Sequence, residues 1–325
     1  MCNRELHEEP EEVMWMSQRE LIYRHLSEPR SLLIVLDACR YDMFLENLYV
    51  LNGLKFRVFK VYSSGSCTKE WLEKTFTEPL DTVYVTANSW VTIVFRNWSP
   101  FKAIVDVSAK YWDRGLGTVR AEHVNLVALK YLIRGERLIV HYLQPHAPFV
   151  TKTWLVDRVS GARHASLEIY RLARKSRRVR REFRRAYIEN LRYVLRHAKR
   201  LARMALRLGY RVSMTSDHSE LLGDYTPLKV FKLYFSDKRR LLHPIYLARW
   251  LLYATGIRRV VGHPCGWRGK ELYEVPWVEI YGGNREGVRP SPRRSGLRAR
   301  QEVEAEEPAT EKVWNLRGGE GVLLP

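Results

Sequence analysis

Apolar runs recur along the first two-thirds of the chain, spaced as strands separated by helices. The runs Leu32–Leu36, Phe56–Tyr62, Thr82–Thr86, Ala103–Val107, Leu138–Leu143 and Arg211–Met214 are short and mostly rich in Val, Ile and Leu. They alternate little between apolar and polar, the pattern of strands covered on both faces. Segments of helical period lie before or between them: Gln18–Leu26, Tyr41–Leu48, Thr68–Thr75, Ala121–Ile133 and Glu182–Leu208. Strands alternating with helices predict an α/β fold, a mainly parallel central sheet with helices on both faces. No internal repeat is present.

Within 182–208, Leu191, Val194, Leu195, Ala198, Leu201, Ala205 and Leu208 recur at helical spacing, which predicts an amphipathic helix. The segment Arg171–Arg185 just before and into it is dense in arginine. We read 165–209 as a basic helical insertion in a main domain spanning 30–283. An acidic N-terminal segment, 1–29, precedes that domain. From about residue 284 the chain turns polar, basic and rich in Pro, Gly and Ser, then acidic, so 284–325 reads as a disordered or loosely attached tail.

Charge sharpens this picture. The 325 residues carry a formal net charge of +19. Such a chain attracts anions: phosphate or sulfate esters, nucleic acid or an anionic membrane surface. The four cysteines, Cys2, Cys39, Cys67 and Cys265, form no C-x-x-C pair. That argues against a zinc ribbon or a thioredoxin-like site and points to a reducing compartment. The start of the chain is acidic and polar, unlike a signal peptide. The longest apolar candidate, Ile245–Ile257, is too short to span a bilayer and is interrupted by Arg249. A soluble cytoplasmic protein is expected, with contact at a membrane periphery left open. Neither G-x-x-x-x-G-K nor G-x-G-x-x-G occurs, so a P-loop or Rossmann nucleotide enzyme lacks support.

The candidate chemistry sits at strand ends. Thr215-Ser216-Asp217-His218-Ser219-Glu220 follows the last apolar run, and Leu32–Leu36 ends in Asp37. Two buried strands, each delivering metal-ligand side chains at its carboxyl tip, suggest a divalent metal site at the mouth of the sheet. The alternative is that Asp37 and Asp217 only cap helices. Between them, Ser63-Ser64-Gly65-Ser66-Cys67-Thr68 leads into a helix. A hydroxyl or thiol there sits at the positive end of the helix dipole, which suits a nucleophile; the same residues would also serve as an N-cap with Glu70 in the first turn. His146 lies between Pro145 and Pro148, and His263 in Gly262-His263-Pro264. His141, inside a predicted strand, reads as a core histidine.

Five segments in order resemble the alkaline phosphatase superfamily, and within it the sulfatase-like proteins of archaea and bacteria. They are Leu36–Asp42, Gly65–Leu72, His141–Pro148, Thr215–Asp224, and Gly262–Pro264 followed by Glu274–Trp277. The resemblance implies an alkaline-phosphatase-like α/β fold and assigns Asp37, Asp217 and His218 as metal ligands. It matches Thr68 to the nucleophile, which also touches the metal, with Ser66 and Cys67 as rivals. It makes His146 and His263 contacts of the transferred group, assistants of the leaving group or ligands of a second ion. Arg40 neutralises carboxylates, contacts the anion or forms a structural pair with Asp42. The chain also departs from the pattern. Cys67 lacks the C-x-P-x-R context of formylglycine sulfatases, Ala38 stands where a second carboxylate is usual, and Ser219 stands where Gly is usual. The expected function is a metal-dependent hydrolase or transferase of sulfate or phosphate esters, using one or two Mn or Zn ions and a covalent threonyl intermediate. The competing expectation is a non-catalytic sulfatase-like scaffold that holds nucleic acid or anionic lipid through Arg171–Arg185 and the basic Arg293–Arg300.

Overall fold

Strand β1 (Ser31–Asp37) is buried along its whole length, and its side chains alternate between two cores. Leu32, Ile34 and Leu36 enter one, while Leu33 and Val35 enter the other. A strand apolar at every position belongs in the middle of a sheet covered on both sides. The computed structural model places it there; it describes residues 17–151, 165–224, 259–267 and 269–282, with a few positions between 244 and 255. Residues 1–16 of the N-terminal segment, and the tail with Arg293–Arg300, lie outside the described residues.

The further strands are β2 (Lys55–Tyr62), β3 (Leu80–Thr86), β4 (Phe101–Asp106), β5 (Trp112–Asp113), β6 (Thr118–Val119), β7 (Leu138–Pro145), β8 (Arg211–Ser216), β9 (Leu221–Leu222), β10 (Val261–Gly262) and β11 (Glu274–Tyr281). Seven of them form one sheet in the order β2–β11–β8–β1–β7–β3–β4. From β8 to β4 the pairing is parallel. β11 runs antiparallel to both β2 and β8, so the sheet is mixed and mostly parallel. The pairs β5–β6 and β9–β10 are small antiparallel ribbons. All six predicted strands are present. β11 was not among them, because Pro276 lies within it and a proline weakens the strand signal.

The helices are α1 (Gln18–Ser27), α2 (Tyr41–Glu46), α3 (Thr68–Thr75), α4 (Trp90–Val94), α5 (Ser108–Tyr111), α6 (Ala121–Ile133), α7 (Ala165–Lys175) and α8 (Arg177–Arg207). α1, α3 and α4 cover one face of the sheet through Ile22, Trp71, Leu72 and Val91. α2, α6, α7 and α8 cover the other through Phe44, Val124, Ile169 and Phe183. The Ser176 hydroxyl caps α8 by accepting from the Val179 N–H. The buried stripe of α8 runs from Val179 through Leu191 and Leu195 to Ala205, so this basic span packs as a layer of the core. Part of its arginine density serves the fold: Arg174 donates to the Val261 carbonyl, Arg180 to the Ala173 carbonyl, and Arg185 pairs with Glu182.

Candidate metal centre

Neighbouring parallel strands share a carboxyl edge, so the residues just beyond β8, β1, β7 and β3 converge. β1 ends in Asp37, and β8 is followed by Asp217 and His218. One donor atom from each of these three lies within 4.8 Å of the others. They are 2 %, 0 % and 0 % exposed. Thr68, the first residue of α3, donates its hydroxyl to Asp217 Oδ2 at 2.7 Å and lies 3.3 Å from His218 Nε2. The structure thus brings together all four residues expected at the metal.

The backbone fixes each of them. His218 Nδ1 lies 2.9 Å from the Ser219 carbonyl. A carbonyl only accepts, so Nδ1 carries the proton and the Nε2 lone pair is left for the cluster. Asp217 Oδ1 accepts from the N–H groups of Ala38 and His218, leaving Oδ2 for Thr68. Ala38 has φ +59° and turns the chain sharply after Asp37. Tyr187 of α8 holds that turn, donating to the Ala38 carbonyl at 2.7 Å and accepting the Arg40 N–H at 2.9 Å. Gly65 is required where the loop meets α3, since a Cβ there would fall 2.3 Å from the Trp71 nitrogen.

The electrostatics leave the cluster short of positive charge. Burial, then the Asp217 carboxylate, pushes the Asp37 carboxyl well above the usual carboxylate range. Burial works upward on Asp217 too, but His218, His141 and the hydrogen bonds from Thr68 and Ala38 outweigh it and hold that carboxyl low. Asp37 Oδ1 is buried with no hydrogen-bond donor. A close pair of buried carboxylates, one with an oxygen unsatisfied, is relieved by a proton on Asp37, the direction in which its pKa is pushed, or by a cation. Two carboxylates, an imidazole nitrogen and a hydroxyl fit a divalent cation of the Zn or Mn kind.

Beside this cluster lies a second. Donor atoms of His146, Glu220 and His263 also lie within 4.8 Å of one another. Glu220 accepts from the Tyr170 hydroxyl at 2.6 Å and lies 3.2 Å from His263 Nδ1. The His263 ring is 4.4 Å from that of His218 and 4.9 Å from that of His146. Burial holds the His263 imidazole down to about 4 and the His146 imidazole to about 3, so both are neutral at pH 7.

Arg40 pairs with carboxylates: its guanidinium bonds both oxygens of Asp42, reaches Asp224 at 2.7 Å and lies 3.4 Å from the Glu220 carbonyl. Two expectations need correction. Ser66 and Cys67 do not compete with Thr68. The Ser66 hydroxyl is engaged with Glu70 and the Pro264 carbonyl, and Cys67 is in a disulfide with Cys265. That disulfide also overturns the reducing-compartment reading, since disulfides persist in oxidising surroundings; 198 residues separate the partners in sequence, and no spacing rule reveals them. His141 is a core histidine as read, but its Nε2 lies 3.8 Å from Asp217 Oδ2 and its Nδ1 3.0 Å from the Tyr84 hydroxyl.

Two residues were missed. Asn88 donates to Asp37 Oδ2 at 2.8 Å and lies 3.4 Å from the Thr68 hydroxyl. It stands two residues beyond β3, so the signal that singled out Asp37, a polar residue at a strand tip, was available for it too. Glu220 stood in the Asp217–Glu220 segment, but nothing local distinguished its carboxylate from a surface one.

The sequence matches no protein-family model and no curated protein. Among solved structures, the C-terminal periplasmic domain of EcEptC from Escherichia coli is similar at 13 % identity and a TM-score of 0.51, over 79 % of this chain and 73 % of that one. A lipooligosaccharide phosphoethanolamine transferase A from Neisseria meningitidis is similar at 14 % identity and a TM-score of 0.46, over 78 % and 48 %. A protein of the alkaline phosphatase superfamily from Vibrio parahaemolyticus is similar at 12 % identity and a TM-score of 0.43, over 78 % and 60 %. At these identities the likeness is one of fold, and the first of the three carries it: this chain shares the fold of the EcEptC domain. The cytoplasmic expectation is corrected as well. The EcEptC domain that shares the fold is periplasmic, and the Cys67–Cys265 disulfide suits an oxidising compartment.

Proposed function

We propose that this protein transfers or hydrolyses phosphate or sulfate esters with the aid of a divalent metal, using the Thr68 hydroxyl as nucleophile. The carrying observation is the placement of that hydroxyl, at the N-terminus of α3 and hydrogen-bonded to Asp217 within the buried Asp37–Asp217–His218 cluster. A Zn or Mn ion held by Asp37, Asp217, His218 and Thr68 would ease deprotonation of the hydroxyl and offset negative charge on the reacting ester.

The residues of the chain then have these roles. Asp217 Oδ2, already accepting from Thr68, takes the hydroxyl proton as the Thr68 oxygen bonds to phosphorus. The ester bond to the leaving alcohol breaks, and a threonyl ester remains. His146 and His263, neutral and beside the cluster, contact the transferred group, and the proton that left Thr68 ends on the leaving oxygen. Water or an acceptor alcohol next attacks the threonyl ester and regenerates the hydroxyl. Cys67, tied in a disulfide, cannot become formylglycine, which favours phosphate over sulfate esters. We further infer a periplasmic or extracellular setting, from the disulfide and from the fold shared with a periplasmic domain.

The test is turnover of nitrophenyl phosphate, phosphodiester, phosphonate and sulfate esters by the Zn- or Mn-loaded protein. Thr68→Ala is expected to lower turnover by about a thousandfold or more while metal affinity, read by calorimetry, stays largely intact. Full activity in that variant would refute the nucleophile assignment.

A further inference from the structure

His263 reaches the site on a segment that follows a strand of only two residues, β10. On its other side the segment is fastened to the entrance of α3. Cys265 is disulfide-bonded to Cys67, the residue directly before Thr68. The Gly266 N–H donates to Glu70 Oε1 at 2.6 Å. The Ser66 hydroxyl donates to the Pro264 carbonyl at 3.1 Å and accepts the Trp267 N–H at 3.2 Å. Glu70 is itself held by the Ser66 N–H and hydroxyl, each at 3.0 Å. The turn that carries Thr68 and the turn that carries His263 are therefore one stapled unit. By contrast Asp37, Asp217 and His218 stand on the tips of central strands, and of the four residues expected at the metal only Thr68 belongs to the stapled unit.

We propose that the Cys67–Cys265 disulfide is a positioning element of the site: it acts through His263, holding that imidazole beside His218 and Glu220 while leaving Asp37, Asp217 and His218 where the sheet puts them. Cys265 is exposed and Cys67 buried, so a dithiol can reach the bond. It would donate two electrons and two protons, close to a cyclic disulfide, and leave two thiols. The activity arm of the inference rests on the ester-transfer reading above; the labelling arm does not.

The experiment compares the full chain, Cys265→Ala, and the wild type reduced by a dithiol. Carbethoxylation of His263 is followed by mass spectrometry, with His25 as internal control. Release of the staple is expected to speed modification of His263 about fivefold or more, with His25 unchanged, because local opening exposes the group it frees. On ester turnover, Cys265→Ala is expected to lower kcat about tenfold or more, and to add nothing in a His263→Ala background, as befits groups acting as a unit. Zn affinity is expected to stay within about twofold. An unchanged His263 labelling rate would overturn the proposal, as would losses that multiply in the double variant. Faster labelling in a protein with no turnover would uphold the staple and remove the ester reading. Should Cys265→Ala fail to fold, the reduced wild type carries the same labelling test.

Discussion

Asp37 is the residue whose situation is least favourable without a cation. It is buried, one oxygen has no donor, and the Asp217 carboxylate lies beside it. Asp37→Asn keeps the shape and removes the charge. In the metal-free protein the variant is expected to be at least as thermally stable as the wild type at pH 7, because a like-charge pair is gone. Its affinity for Zn or Mn is expected to fall by about a hundredfold or more, since one charged ligand is lost. Thermal unfolding with and without metal reads both effects. A variant that lost stability equally in both states would show that Asp37 serves the fold and not the ion.

At the scale of elements, the site depends on a helix that supplies none of its ligands. α8 packs its apolar stripe on the sheet, and in doing so brings the Tyr187 hydroxyl to the Ala38 carbonyl and the Arg40 N–H. Both backbone groups belong to the turn that follows Asp37, and Ala38 holds a left-handed conformation there. Tyr187→Phe strips two buried hydrogen bonds from that turn. It is expected to lower stability by about 1–3 kcal/mol in denaturant unfolding, with a matching loss of metal affinity as Asp37 loses its fixed bearing. The sequence showed α8 through its 3.6-residue period. That its tyrosine would reach the tip of β1 depends on where the helix lies across the sheet.

For the whole molecule, acid is the expected weakness. His25 lies where α1 meets the sheet, bonded to the Leu32 carbonyl and the Ser213 hydroxyl. Burial draws its imidazole down to about 4 from 6.5. The unfolded chain therefore takes up the proton first as pH falls. Stability from this residue is complete above about pH 6.5 and declines as pH drops toward 4. The change amounts to about 1–3 kcal/mol for a side chain partly reached by water. His25→Gln is expected to flatten that part of the stability profile, measured by thermal unfolding between pH 4 and 7; an unaltered slope would assign the acid response elsewhere.

Local pattern determined a good deal of this protein. β1 and the first half of β7 are runs of apolar residues because both faces are covered, and β8 sets Val212 and Met214 between polar residues, so all three were legible, and with them the tips that carry Asp37, Asp217 and His218. A hydroxyl or thiol opening α3 was legible, and the family resemblance singled out Thr68. The rest required strand order, which no single segment encodes. Order places Asn88 beside Asp37, slots β11 between β2 and β8 despite Pro276, turns Arg40 toward Asp42 and Asp224, and brings Cys265 across 198 residues to Cys67. A segment reveals its chemistry through the side chains it bears. Which distant segment it meets is a property of the packed sheet, because that contact is fixed by the joint burial of surfaces that are remote in sequence.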